Sequence, residues 1–383
     1  MAPPSSQIKS HLQSGSSSSP SGLLKGRGSQ SNPPGRFAPH IILRDTEYSD
    51  DTISFYESEI HESIATSVSP EKAASIISKN KSPDVPFEQS INPYKGCEHG
   101  CVYCFARPSH AYLELSPGLD FETTLFYKEN AVALLEQSLK NPRYRCKPIA
   151  LGVNTDAYQP IEKQLEITRD ILKTLQKYRH PVSIITKSSL ILRDIDILEE
   201  MARHQLCSVM VSMTTLDNSL KVIMEPRAAS ANARLKTISE LHQRGIPTGV
   251  LLAPMIPKIN DQELEDLLQA SYKAGARSAA WILIRLPHEV KDLFSEWLFT
   301  HFPRRAEHVL SLIRQCHQGQ LYDSSFSHRM QGSGHFAQLM EQRFQLALKR
   351  FGFSPQMKSS LNCKLFSRPD AETTATRQLS LFD

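Results

Sequence analysis

The chain has 383 residues, with 44 Lys and Arg against 40 Asp and Glu, a net charge of +4. This mild charge permits contact with nucleic acid without arguing for it, because a binding surface depends on clustering. No run approaches ~18 consecutive apolar residues and the N-terminus has no apolar signal core, so a cytoplasmic protein without a membrane span is expected. Hydrophobic residues make up 40% of the chain, enough for a real core, and the length suits two average domains or one barrel with extensions.

Residues 1–36 are rich in Ser, Pro and Gly and are expected to be a disordered tail. Residues 37–89 read as a lead-in segment packed on the main domain. Within them Ser69-Pro70-Glu71-Lys72 predicts a helix start, followed by a short helix over 73–78. From residue 90 short apolar runs alternate with helical patterns. The predicted strands are 90–94, 148–153, 182–186, 207–213, 248–253 and 279–286, and the predicted helices are 129–139, 161–178, 194–204, 231–244 and 262–274. The strands are partly β-branched without strict alternation, as strands covered on both faces should be. Leu165, Ile167, Ile171, Leu172 and Leu175 mark a helical apolar face, and Gly245 and Gly275 fall at helix ends. Repeated strand–helix units predict an α/β fold with a parallel sheet, too short for a closed TIM barrel. Residues 90–303 form this unit, 304–368 a helical C-terminal extension with a loop at 324–334 bordering the site, and 369–383 a flexible tail.

The loop after the first predicted strand reads Asn92-Pro93-Tyr94-Lys95-Gly96-Cys97-Glu98-His99-Gly100-Cys101-Val102-Tyr103-Cys104. Three cysteines stand at C-x3-C-x2-C with no fourth nearby. Soft thiolates suit iron–sulfur clusters and zinc. Electron-transfer clusters ordinarily take four cysteines, so three leave one iron of a cubane open for chemistry. Zinc with His99 as an added ligand, or unrelated structural cysteines, are the alternatives. Cys146, Cys207, Cys316 and Cys363 are scattered singly and read as free thiols of a reducing compartment.

The cysteine spacing, with an aromatic residue before Cys104, resembles the signature of the radical S-adenosylmethionine (SAM) superfamily, and residues 92–108 resemble its group related to spore photoproduct lyase. The resemblance implies a partial (β/α)6 TIM-type barrel, a [4Fe-4S] cluster on Cys97, Cys101 and Cys104, and SAM on the open iron. An external electron donor would trigger formation of a 5′-deoxyadenosyl radical. It also implies SAM contacts from Tyr103 beside the adenine, Thr155 with its neighbour Asn154, Lys187 against the SAM carboxylate, and Ser212. Arg227 pairs with Glu225 or faces SAM or an anionic substrate. Asp156 is a candidate for the ribose or the substrate; Met255 and Ile256 for adenine packing; and Asn260 or Asp261 for capping the next helix. Catalytic residues are not identified. Spore photoproduct lyase carries a further cysteine on its second strand, and Leu151-Gly152-Val153-Asn154-Thr155 has none. That departure puts the lyase reaction itself in question. The tail Gln378-Leu379-Ser380-Leu381-Phe382 resembles a sliding-clamp-binding motif of DNA polymerases and repair proteins. The expected activity is radical SAM chemistry with DNA lesions as the first candidate substrate. Alternatives are radical modification of RNA, protein or a small molecule, and a clamp-associated redox sensor.

Overall fold

The computed structural model describes residues 26–37, 64–326, 328–354 and 361–369. The chain enters the body through β1 (Ser67–Glu71) and β2 (Ile77–Lys79). The predicted helix over 73–78 is not formed. Pro70 instead lies in β1, the edge strand of a small sheet ordered β1-β5-β4, with β4 at Tyr94–Lys95 and β5 at Thr124–Lys128. An edge tolerates the missing donor. The Asn130 side chain accepts from Ala73 N at 3.0 Å and donates to Ala73 O at 2.9 Å, taking the backbone groups a helix would need. Pairing with neighbours thus overrides the local capping signal.

The main sheet has the order β10-β9-β8-β7-β6-β3-β2. Its strands are β3 (Gln89–Ile91), β6 (Ile149–Leu151), β7 (Val182–Thr186), β8 (Cys207–Met213), β9 (Thr248–Met255) and β10 (Ser278–Leu283). These six are parallel and lie in chain order, while β2 pairs antiparallel with β3. The register sets Ile91 beside Leu151 and Leu151 beside Ile184, which aligns the strand ends that carry the loops. Every residue of β8 is buried, the pattern of a strand covered on both faces. The sheet is open, with β10 and β2 at its edges among the described residues.

Helices fill the crossovers. Next to β5 lie α1 (Asp120–Thr123) and α2 (Ala131–Lys140), and α3 (Glu162–Leu165) and α4 (Ile167–Lys177) follow β6. The single helix predicted over 161–178 is therefore broken. Glu166 adopts a left-handed φ of 52°, and the buried Glu162 carboxylate accepts from Thr168 N at 3.0 Å across the break. Beyond it Ile171, Leu172 and Leu175 are buried as their spacing predicts. Then come α5 (Ile195–Arg203), α6 (Asn218–Met224), α7 (Ala231–Gln243) and α8 (Leu264–Ala274), which ends on Gly275. The C-terminal part contributes α9 (Val290–His301), α10 (Ala306–Cys316) and α11 (Gly334–Phe351). Residues 361–369 close over the far end, with Phe366 5.7 Å from Tyr144 and 5.5 Å from His180, ring centre to ring centre. No described helix is long and apolar enough to cross a membrane.

Residues 26–36 depart from the expected disordered tail. Arg27 and Ser29 are 6% and 1% exposed and pack against the cysteine loop. The sequence Gln378–Phe382 lies outside the described residues.

Candidate functional site

The cysteine loop leaves β3 and is fixed from several sides. Cys97 N donates to Phe121 O at 2.9 Å, Val102 N to Met224 O at 3.1 Å, and the Arg107 guanidinium to Cys101 O at 2.9 Å. From the β6 side, the Gln159 amide accepts from Glu98 N at 2.9 Å and donates to Gly96 O at 3.2 Å. A further support is Glu122, fully buried beside Arg107 in an ion pair. Its carboxylate accepts from Gly28 N at 3.0 Å and Ser29 N at 2.9 Å, while Arg27 donates to the Glu122 carbonyl at 2.9 Å. The N-terminal segment thus crosses directly over the loop. A Cβ on Gly28 would stand 1.7 Å from the Gly100 carbonyl oxygen, so only glycine allows this approach.

The loop opens onto a cavity of about 1110 Å³ that reaches the C-terminal ends of the parallel strands. The Cys97, Cys101 and Cys104 thiols all line it. Burial, with Asp156 next, pushes the Cys97 thiol well above its usual range, and burial lifts Cys101 to about 11. Without metal the Cys97 and Cys101 thiols stay protonated, and binding iron must displace those protons. Gly152 lines the cavity with a φ of +79°, and a Cβ there would come within 2.8 Å of Ile185 O. His99 also lines it. Burial lowers this histidine to about 4, so its 3.5 Å approach to Asp156 is not an ion pair at neutral pH, and its buried Nδ1 has no hydrogen-bond partner.

Lys187 follows β7. Its Nζ lies 3.2 Å from Cys101 Sγ, 3.0 Å from Tyr103 Oη and 3.1 Å from Glu225 Oε1. Burial opposes its charge, but Cys101 and Glu225 outweigh burial and hold its pKa well above the usual lysine value. Burial alone would raise Glu225, yet Arg234 and Lys187 pull it far below the carboxylate range.

Of the expected site residues, the three cysteines, Tyr103, Asn154, Lys187 and Ser212 line the cavity, together with Asp156. Asn154 is held through its backbone, whose N donates to Asn92 Oδ1 at 2.9 Å, and Ser212 Oγ donates to Ala253 O at 3.3 Å. Thr155 is not among the lining residues: its hydroxyl donates to Tyr94 O at 3.0 Å in the body of the protein. Arg227 does not line the cavity either. It pairs with Glu98 at 3.1 Å, because Glu225 is taken by Arg234 and Lys187, so the expected Glu225–Arg227 pair is absent. Met255 and Ile256 are fully buried, and Ala253 and Pro254 line the cavity in their place. Asn260 does not cap a helix. It pins the β9 loop, accepting from Ile256 N at 2.7 Å and donating to Thr214 O at 2.7 Å.

Arg285, Phe105 and Asp84 also line the cavity and were not singled out from the sequence, whereas Arg329, also in the lining, belongs to the loop 324–334 expected to border the site. Arg285 follows the end of β10 as Lys187 follows β7. The predicted strand over 279–286 ran through it and hid the same strand-end signal.

The profile of the Radical SAM superfamily matches residues 91–270. The chain belongs to this superfamily. An uncharacterized protein of Mycobacterium tuberculosis is 34% identical over 241 residues, covering 62% of this chain and 71% of the relative. An uncharacterized protein of Methanocaldococcus jannaschii is 32% identical over 192 residues, covering 50% and 69%. Among solved structures, a mutant of spore photoproduct lyase aligns with a TM-score of 0.49 at 14% identity, covering 74% of this chain and 79% of that one. Radical SAM proteins are enzymes that use a [4Fe-4S] cluster and SAM.

The residues present fit those groups. Among the described residues no three His, Cys, Asp or Glu side chains converge as ligands of one metal ion. The three thiols are close enough for Cys97 to feel both others electrostatically, and soft thiolates are the donor set that iron–sulfur clusters take. The unpartnered His99 nitrogen, which lines the cavity, suits a polar ligand bound next to it.

Proposed function

We propose that Cys97, Cys101 and Cys104 ligate the [4Fe-4S] cluster and that SAM occupies the adjoining cavity. The observation that carries this reading is that all three thiols open into one cavity shared with the loops of the parallel strands. We read the open sheet as a partial (β/α)6 barrel. In support, Ser90, Ala150, Ser183, Ser208, Leu251 and Ala280, one from each parallel strand, line the same cavity.

Held by Cys97, Cys101 and Cys104 and by the adjoining cavity, the cluster and SAM would supply radical hydrogen-abstraction chemistry, started by one electron from an external reductant. The protein binds, orients and shields. Lys187 places a cation beside Cys101, poised for the SAM carboxylate. Tyr103, buried against Glu225 and Lys187, fixes the loop next to Cys104. Asn154 and Ser212 present polar groups at the ends of β6 and β8. Phe326, Arg329, Met330 and Gln331 line the cavity, and Arg329 pairs with Asp84 of the β2–β3 connection, a contact that would help keep water from a radical site.

The reading extends to a nucleic-acid substrate, DNA lesions first, in the cytoplasm and with an external reductant. The support is an excess cation in the cavity and the clamp-like sequence Gln378–Phe382. Anaerobic reconstitution with iron and sulfide, reduction and addition of SAM tests the core reading. Wild-type protein should produce 5′-deoxyadenosine and the triple Cys→Ala variant none. A well-formed cluster that yields none with candidate substrates present would overturn it. Deleting residues 378–383 should abolish sliding-clamp pull-down.

A further inference from the structure

Three cations line the cavity among the described residues: Lys187, Arg329 and Arg285. Lys187 faces Glu225, and Arg329 is paired with Asp84. Among the described residues Arg285 makes no ion pair; Asp84 feels its charge through space but is paired with Arg329. Arg285 NH1 reaches only Met330 Sδ at 3.6 Å, and its buried Nε has no hydrogen-bond acceptor. Asp84 and Asp156 are the carboxylates in the lining. Asp84 is occupied by Arg329, and Asp156 accepts from Thr186 at 2.8 Å and Lys187 N at 2.9 Å.

A cation left without a counter-charge in a cavity costs free energy unless a ligand supplies the charge. The guanidinium is also oriented, since it lies over the Phe105 ring at 4.9 Å from its centre. Phe105 directly follows Cys104 and is 42% exposed. A guanidinium at this distance from a ring gains a cation–π contact that leaves its N–H donors free for an oxyanion, which they can take in a two-point contact. Arg285 therefore bridges Phe105 of the thiol loop and Met330 on the wall of the same cavity.

We propose that Arg285, oriented by Phe105, binds an oxyanion of the substrate, phosphate or carboxylate. This rests on the reading of the cavity as the SAM-bearing site. SAM has a carboxylate of its own, and the test separates the two sources.

Cluster-loaded protein is titrated calorimetrically with inorganic phosphate, with acetate and with SAM, for wild type, Arg285→Gln, Arg285→Lys and Phe105→Ala. Phosphate or acetate should bind wild type, weaken about tenfold or more in Arg285→Gln, and be partly restored in Arg285→Lys. Phe105→Ala should weaken the same anion, and SAM affinity should not follow these changes. The preferred anion names the class. The proposal is overturned if neither anion binds wild type, if Arg285→Gln binds it equally well, or if Arg285→Gln loses SAM instead. Anion binding through Arg285 in a protein that neither binds nor cleaves SAM would overturn the reading of the site and leave the anion subsite standing.

Discussion

Lys187 and Glu225 form a buried ion pair, Nζ to Oε1 3.1 Å, directly behind Cys101. Arg234 holds the other carboxylate oxygen, so one anion serves two cations. Glu225→Gln leaves both cations buried with reduced compensation and should cost about 3–5 kcal/mol, read as a fall in calorimetric Tm. Lys187→Ala leaves Glu225 paired with Arg234 and should be milder in Tm, while weakening SAM about tenfold. Unchanged SAM affinity in Lys187→Ala would remove this residue from the pocket.

Gly28 lies against the loop at the Gly100 carbonyl, 1.7 Å from where a Cβ would stand. Gly28→Val should push the segment off the loop, at about 1–3 kcal/mol. The cluster should then lose iron to a chelator faster than in wild type, followed anaerobically by absorbance. Equal rates would show that the loop holds its shape without residues 26–37.

His180 is fully buried, and burial lowers its pKa from 6.5 to about 4. Its Nδ1–H donates to Pro181 O at 3.0 Å, and its Nε2 lies 2.8 Å from the Tyr144 hydroxyl. A histidine kept neutral in the folded state takes up a proton on unfolding. Its contribution is therefore present above pH 6.5 and is lost as pH falls from 6.5 toward 4, at most about 3 kcal/mol. His180→Gln should flatten the denaturation free energy over that window. An unchanged slope would assign the acid sensitivity to other groups.

Asp84 and Arg329 join the β2–β3 connection to the segment after α10, with Arg329 NH2 2.5 Å from Asp84 Oδ1. Asp84→Asn removes the charge that holds this segment. Amide exchange should rise in residues 328–333 while the strands of the main sheet stay protected. No change there would mean that backbone bonds such as Leu283 N to Met330 O, at 2.8 Å, hold the segment alone.

The strands β7 and β8 have the bounds that their apolar runs predict, because a strand buried on both faces leaves an uninterrupted signal. The C-x3-C-x2-C spacing and Lys187 were legible for a similar reason: their chemistry sits at strand ends. What was hidden depends on partners far along the chain. Pro70 reads as a helix start until β5 pairs with its strand. Glu122 reads as an ordinary acidic residue until Arg27, Gly28 and Ser29, nearly a hundred positions earlier, converge on it. Arg227 looked like a site residue because Arg234, the true partner of Glu225, lies a helical turn inside α7.

The placement of Gly26–Phe37 also changes what counts as the smallest complete enzyme. The stretch matched by the superfamily, 91–270, holds all three thiols. Cut at those limits, it would leave the Glu122 carboxylate with Arg107 alone and turn the Gly100 carbonyl toward water. During synthesis these early residues leave the ribosome first, yet they can dock only after Glu122 has followed them out. Until then the side of the loop that Gly28 covers in the folded protein stays open.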